Sequence, residues 1–135
     1  GYVHFITHAN GLWVALHGYS GLYTSTDGAT WVSRSGKQTQ KFAGYYDGLW
    51  LASCNRLYWS ENGTSWKQSD LATSVYGVVK VGGLLVAASN DGVYYSADGK
   101  TWAKTDSPTY VRAIVAGDGK LVVGTQTTGL WYSKP

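Results

Sequence analysis

The sequence predicts an all-β fold, specifically a β-propeller of four tandem blades of about 36 residues, and three observations carry that prediction. A seven-residue box recurs as Ser25 to Trp31 (STDGATW), Ser60 to Trp66 (SENGTSW) and Ser96 to Trp102 (SADGKTW), and a fourth copy starts at Ser133; the serines are 35, 36 and 37 residues apart. A fixed period of that size marks one supersecondary unit copied in tandem, each copy too small to bury its own apolar face. The aromatic residues, seven Trp and eleven Tyr against two Phe and no Met, favour strands. Helical periodicity appears nowhere at useful length, because Gly breaks every candidate segment.

The four units are expected at about 2–34, 40–69, 75–105 and 110–135, together one domain. In each, a first run (2–9, 40–46, 75–81, 110–117) meets a two-residue turn signal, Asn10-Gly11, Asp47-Gly48, Gly82-Gly83 or Asp118-Gly119. Such pairs tolerate the positive φ that type I′ hairpins require, so runs one and two are antiparallel neighbours. The second run begins at Leu12, Leu49, Leu84 or Leu121, and its fourth position is small each time: Ala15, Ala52, Ala87, Gly124. A small residue at one register predicts close approach of a neighbouring sheet. The third run carries an aromatic, Tyr23, Tyr58, Tyr94 or Trp131, and leads into the box. The fourth starts at Trp31, Trp66 or Trp102, and polar crossovers at 34–41, 69–74 and 105–109 join the units. Copy four stops at Pro135 after its third run. The expectation is therefore a last blade lacking its outer strand, in a fragment of a larger parent protein or in subunits that associate to complete a larger ring.

The box has a physical reason. A Ser or Asp side chain in a tight turn accepts hydrogen bonds from nearby backbone amides, Gly28, Gly63 and Gly99 supply positive φ, and the closing Trp packs under the turn. The three boxes resemble the Asp-box, or bacterial neuraminidase repeat, whose usual pattern is Ser-x-Asp-x-Gly-x-Thr-Trp between the third and fourth strands of a propeller blade. Each box here is one residue shorter, and the second has Asn62 and Ser65 in place of Asp and Thr. The resemblance implies the fold. It does not fix the function, because the repeat occurs in sialidases, other glycosidases, lectins, sorting receptors and assembly factors, and in sialidases it lies opposite the active site.

Several functions are disfavoured. No run of 18 apolar residues exists to span a bilayer as a helix, and the N-terminus lacks a signal-peptide layout. A single cysteine, Cys54, excludes an internal disulfide framework and reads as a buried thiol. The net charge of +3 is spread rather than patched, which argues against nucleic acid. A sialidase-like site needs three converging arginines, and the three present, Arg34, Arg56 and Arg112, fall in unrelated places. Glu61, Asp27 and Asp98 are box residues, Asp47 and Asp118 turn residues, and Asp70, Asp91 and Asp106 lie in separate loops, so no carboxylate pair suited to glycoside hydrolysis stands out. His4 and His8 on one strand are about 13 Å apart, too far to share a metal ion. The chain is read as non-enzymatic, with no cofactor. Asn62-Gly63-Thr64 matches a glycosylation sequon, but the box already explains those residues.

The copies differ most at the end of the units away from the boxes, in the turns 17–21, 54–56, 89–92 and 125–129. Aligned on their hairpin turns, the first runs place His4, Lys41, Tyr76 and Arg112 at one register. With Tyr19, Asn55, Arg56, Asn90, Asp91, Tyr110 and Gln126 they form the candidate ligand-binding set: aromatic faces for the apolar side of a sugar, amides and charges for its hydroxyls. The resulting expectation is a non-catalytic module that binds a glycan or cell-surface carbohydrate, extracellular or virion-associated, as on a secreted protein or phage tail fibre. A structural or assembly scaffold contacting another protein, with oligomers as one form, is the rival; a sialidase-like glycosidase ranks third.

Overall fold

The computed structural model describes residues 3–18, 21–34 and 41–132, and these contain strands and turns only. Tyr19, Lys37 and the start of the fourth box lie outside the described residues. Sheet 1 is β1 (Val3–Ala9), β2 (Leu12–His17), β3 (Gly21–Ser25) and β4 (Val32–Ser33); sheet 2 is β5 (Phe42–Tyr46), β6 (Leu49–Ser53), β7 (Leu57–Ser60) and β8 (Lys67–Gln68). Sheet 3 is β9 (Val75–Val81), β10 (Leu84–Ser89), β11 (Gly92–Ser96) and β12 (Ala103–Lys104), and sheet 4 is β13 (Val111–Gly117), β14 (Lys120–Thr125) and β15 (Leu130–Tyr132). Every pairing within a sheet is antiparallel and between sequence neighbours.

Hairpin chemistry sets the first pairing in each sheet. Asn10 and Gly11 have φ of 49° and 75°, Asp47 and Gly48 47° and 92°, and Asp118 and Gly119 50° and 73°, the both-positive pattern of a type I′ turn. The Gly82-Gly83 turn differs from expectation: only Gly82 is positive, at 60°, as type II′ requires.

The sheets stack face to face in chain order, and the apolar residues between them are the core. The rear face of sheet 1 (Leu12, Val14, Leu16, Leu22) meets the front face of sheet 2 (Ala43, Trp50, Ala52). The rear face of sheet 2 (Leu51, Leu57) meets Val78, Leu85, Ala87 and Trp102 of sheet 3, with Leu71 of the crossover beneath them. Val86, Ala88 and Val93 of sheet 3 meet Val111 and Val123 of sheet 4. Full burial of each such Leu or Val contributes about 1.5–3 kcal/mol. In sheets 1 to 3 the small residues Ala15, Ala52 and Ala87 lie opposite the aromatics Tyr23, Tyr58 and Tyr94 within their own sheets. Ala52 and Ala87 also pack against the preceding sheet, whereas Ala15 lies on the uncovered front of sheet 1.

Sheet 4 corrects that pattern. β14 starts at Lys120, one residue earlier than a start at Leu121, and pairs it with Gly117 across the Asp118-Gly119 turn, as Leu12 pairs with Ala9. Val123, not Gly124, therefore lies opposite Trp131 at the register of the alanines. The turn determines the register, and a one-residue slip sends each side chain to the other face. Leu121 and Val123 thus face sheet 3 together with Ile114.

The two end faces of the stack stand uncovered. On the front of sheet 1 Ile6 is 55% exposed, whereas its counterparts Ala43 and Val78 are 2% and 7%. On the rear of sheet 4 Leu130 is 79% exposed, whereas Leu22 and Leu57 are 2% and 0%.

Candidate functional site

The box turns share one hydrogen-bond scheme. Ser25 Oγ accepts from Gly28 N at 2.8 Å and donates to Asp27 Oδ1 at 2.9 Å, and that oxygen accepts from Ala29 N and Thr30 N, both at 2.8 Å. The third box repeats this with Ser96, Asp98, Gly99, Lys100 and Thr101. In the second box Asn62 Oδ1 takes the same place, accepting from Thr64 N and Ser65 N at 2.9 Å. The amides of Thr30 and Ala29, with the Ser25 hydroxyl, hold the Asp27 carboxyl down at about 2. Those of Thr101 and Lys100 lower Asp98. The Trp66 and Trp102 indole N–H groups donate to the Gly63 and Gly99 carbonyls at 3.0 Å, which fixes each ring inside a sheet interface. All of these side chains are occupied in holding turns.

At the opposite end, sheets 3 and 4 build a cluster around Arg112. β13 carries Arg112, and the β10–β11 and β14–β15 turns carry Asn90 and Gln126. Arg112 Nη1 donates to Asn90 Oδ1 at 2.6 Å and Nη2 to Gln126 Oε1 at 2.7 Å. Its guanidinium lies 4.3 Å from the Tyr76 ring centroid, at the start of β9, and 5.8 Å from that of Tyr110. Tyr110 adopts φ +54°, uncommon for an aromatic residue. In that conformation its N–H donates to the Asn90 carbonyl at 2.8 Å and its carbonyl accepts from Gln126 N at 3.0 Å, so one backbone unit ties both amide-bearing turns together. The Tyr110 side chain is half exposed.

Arg112 brings a positive charge to the cluster. Among the described residues the ion pairs are Lys80 with Asp47, Lys100 with Glu61 and Lys104 with Asp91; none involves Arg112. Its charge is held by neutral amide oxygens and ring faces. Such a site is preorganised and electropositive, with an aromatic wall open to solvent.

Five residues of the sequence-derived set thus come together: Tyr76, Asn90, Tyr110, Arg112 and Gln126. The contacts described do not extend the cluster to His4 or Lys41, although both share the register of Tyr76 and Arg112. His4 is exposed on β1, and Lys41 N donates to the Ser53 carbonyl at 2.7 Å. Asn55 accepts from the Cys54 thiol at 3.2 Å, and Arg56 buries an Nε that lacks a hydrogen-bond partner. Asp91 turns outward: the Tyr94 hydroxyl at 2.6 Å, and secondarily Lys104 at 3.4 Å, lower its carboxyl, and the same bond raises the Tyr94 hydroxyl to about 12. Tyr19 lies outside the described residues.

Two features on the box side were not legible. Lys67 Nζ, on the strand paired with that of Trp59, lies 5.2 Å from the Trp59 ring, and Lys100 Nζ lies 4.2 Å from it, a contact that needs two adjacent sheets to be in place. A 380 Å³ groove between sheets 3 and 4 is lined by Val86, Val93, Tyr95, Val123, Trp131 and Tyr132. Among the described residues, groups of three or more His, Cys, Asp and Glu able to hold a metal ion are absent, and no helix is long and apolar enough to cross a membrane.

No protein-family profile and no curated protein matches the chain. Solved structures do. The extracellular domain of a one-component system of B. thetaiotaomicron superposes with a TM-score of 0.80 at 16% identity, over 98% of this chain and 20% of its own. The computationally designed Ika4 protein gives 0.75 at 11% identity, over 98% and 90%. An ancestral GH74 enzyme gives 0.71 at 18% identity, over 90% and 21%. At these identities the likeness is one of fold, and the chain spans about a fifth of the two larger structures.

Proposed function

We propose that this chain is a non-catalytic, propeller-type recognition module that binds carbohydrate through the Arg112 cluster. The observation that carries the reading is the guanidinium held by Asn90 and Gln126 between Tyr76 and Tyr110, with no carboxylate paired to it among the described residues. A ring face and a fixed array of amide and guanidinium groups suit the two sides of a sugar, and the cluster is assembled before any ligand arrives, which lowers the ordering cost of binding. Its net positive charge favours a sugar bearing a carboxylate over a neutral one.

The non-catalytic part is supported by the engagement of six of the eight carboxylates. Asp27 and Asp98 accept turn amides, Asp70 accepts from Trp102 N, and Asp47, Glu61 and Asp91 pair with lysines. The box hydrogen bonds support the Asp-box assignment, with the oxygen of Asp or Asn as the shared acceptor. A place outside the cell, on a secreted protein or phage tail fibre, agrees with the extracellular domain among the similar structures.

Titration of the folded chain with a panel of neutral and acidic sugars tests the reading. Binding is expected for at least one acidic sugar and a loss of tenfold or more in Arg112→Ala and Tyr76→Ala, with both variants melting as a cooperative fold. Absence of binding across the panel at millimolar sugar, or binding unchanged in both variants, refutes it.

A further inference from the structure

The uncovered end faces carry a separate inference, independent of the ligand. Each interface between sheets in this molecule follows one rule: the front face of a later sheet packs on the rear face of the one before. Trp50 and Ala52 pack on Val14 and Leu12, and Leu85 and Ala87 on Leu51 and Leu57. In sheet 4, Val123 packs on Val86 and Val93. Ile6, Trp13 and Ala15 occupy the same front positions in sheet 1, with Val3 beside them, and Val122 and Leu130 the same rear positions in sheet 4, with Val115 and Tyr132 beside them. Val75 and Val111, the counterparts of Val3, are both 0% exposed, and Val93, the counterpart of Leu130, is 7% exposed. At the ends Val3 is 56% exposed, Val115 60% and Tyr132 71%.

We infer that the front face of sheet 1 and the rear face of sheet 4 are the two halves of one interface, through which a second copy of this chain docks head to tail. A front face has one kind of complement in this molecule, a rear face, and the rear face left free is that of sheet 4. The exposures show that the two faces do not cover each other within one copy. Two copies joined at both ends bring eight sheets into one ring, at the upper end of the common range of about four to eight blades. A contact between unlike faces is heterologous, and it closes into a ring of two when the four sheets of each copy turn through half a circle. Burial of the exposed apolar side chains at each end gives the association its driving force.

Sedimentation equilibrium of the 135-residue chain at tens of micromolar reads the result directly, and the expected mass is twice the 14.6 kDa of one chain. Two doubly substituted variants separate this arrangement from others. Val3→Glu with Ile6→Glu spoils the front half; Val115→Glu with Leu130→Glu spoils the rear half. All four side chains are exposed, so each variant keeps the circular dichroism spectrum of the parent. Each alone is expected to sediment as a monomer, and an equimolar mixture to form a one-to-one heterodimer through the remaining intact halves. A parent chain that stays monomeric, a single variant that still self-associates as the parent does, or a mixture that does not pair overturns the inference. Sugar binding is read in the same samples, so failure of the interface is distinguishable from failure of the ligand site.

Discussion

The three box glycines form an internal experiment in interface packing. Gly28, Gly63 and Gly99 share φ of 78° to 79° and the same turn hydrogen bonds, so replacing any of them with alanine imposes the same backbone penalty, about 1–2 kcal/mol for a left-handed non-glycine residue. Their surroundings differ. A Cβ at Gly63 would stand 2.2 Å from Leu12 Cδ2 with the Trp50 indole behind it, and one at Gly99 would stand 2.4 Å from Leu49 Cδ2. A Cβ at Gly28 meets only Trp13, at 3.6 Å, an ordinary contact. The leucines can yield only by moving inside a packed interface, an overpacking cost of about 1–3 kcal/mol. Gly28→Ala should therefore cost about 1–2 kcal/mol, and Gly63→Ala and Gly99→Ala about 2–5 kcal/mol. Denaturant unfolding of the three variants against the parent measures this, with an unchanged m-value as the check that only stability moved. Docking of a second copy leaves the ranking intact, since the residue placed opposite Gly28 is then the long, pliable Lys120. Equal losses at all three positions, or a larger loss at Gly28, would refute the account of the interfaces.

Three more expectations follow from the hydrogen bonds. Ser53 Oγ accepts from Val75 N at 2.7 Å in a fully buried setting, so Ser53→Ala strands a buried donor and should lower stability by about 1–3 kcal/mol in thermal unfolding, while Ser53→Thr loses less. Asp70 Oδ1 reaches from the crossover after sheet 2 to Trp102 N at 2.9 Å; Asp70→Ala should cost about 1 kcal/mol and increase exchange of the Trp102 amide proton, whereas Asp70→Asn keeps most of both. The folded-state carboxyl of Asp27 lies at about 2, below its usual 3.8, so its contribution is present above that usual value and is lost as pH falls toward 2. Asp98 is shifted the same way. Asp27→Asn with Asp98→Asn should therefore fold at neutral pH, because Asn62 shows that an amide oxygen serves, and should flatten the decline in melting temperature between pH 4 and pH 2; a decline as steep as the parent's would count against the carboxylates as its source.

Much of the molecule was legible because its signals are local. Asn10-Gly11, Asp47-Gly48 and the box glycines impose backbone geometry through their own φ, and the hairpins and turns stand where those residues are. Register across a whole strand is less local. The row of small residues led to Gly124, yet the Asp118-Gly119 turn counted from Lys120 and placed Val123 there; a turn fixes pairing directly, whereas a side-chain pattern reflects it only through packing. The candidate site was half legible for a related reason. Alignment on the turns put Tyr76 and Arg112 at one register, and the variable turns supplied Asn90 and Gln126. That the guanidinium lies over Tyr76 while His4 and Lys41 stay apart depends on which sheets are neighbours and on the left-handed Tyr110, and neither is written in a short window of sequence.

The residue that shifts β14 also bears on how such a chain can be rearranged. The serine-to-serine spacing lengthens from 35 to 37 along the chain, and β14 begins at Lys120 where the other second strands begin at leucine. Copies exchanged at a cut inside the box or the hairpin turn carry their own count with them and stay in phase. Copies spliced within the second strand by matching Leu121 to Leu84 would turn a whole strand inside out. The turns are thus the points at which this repeat can be duplicated, swapped or extended by design, and the strands between them are indivisible.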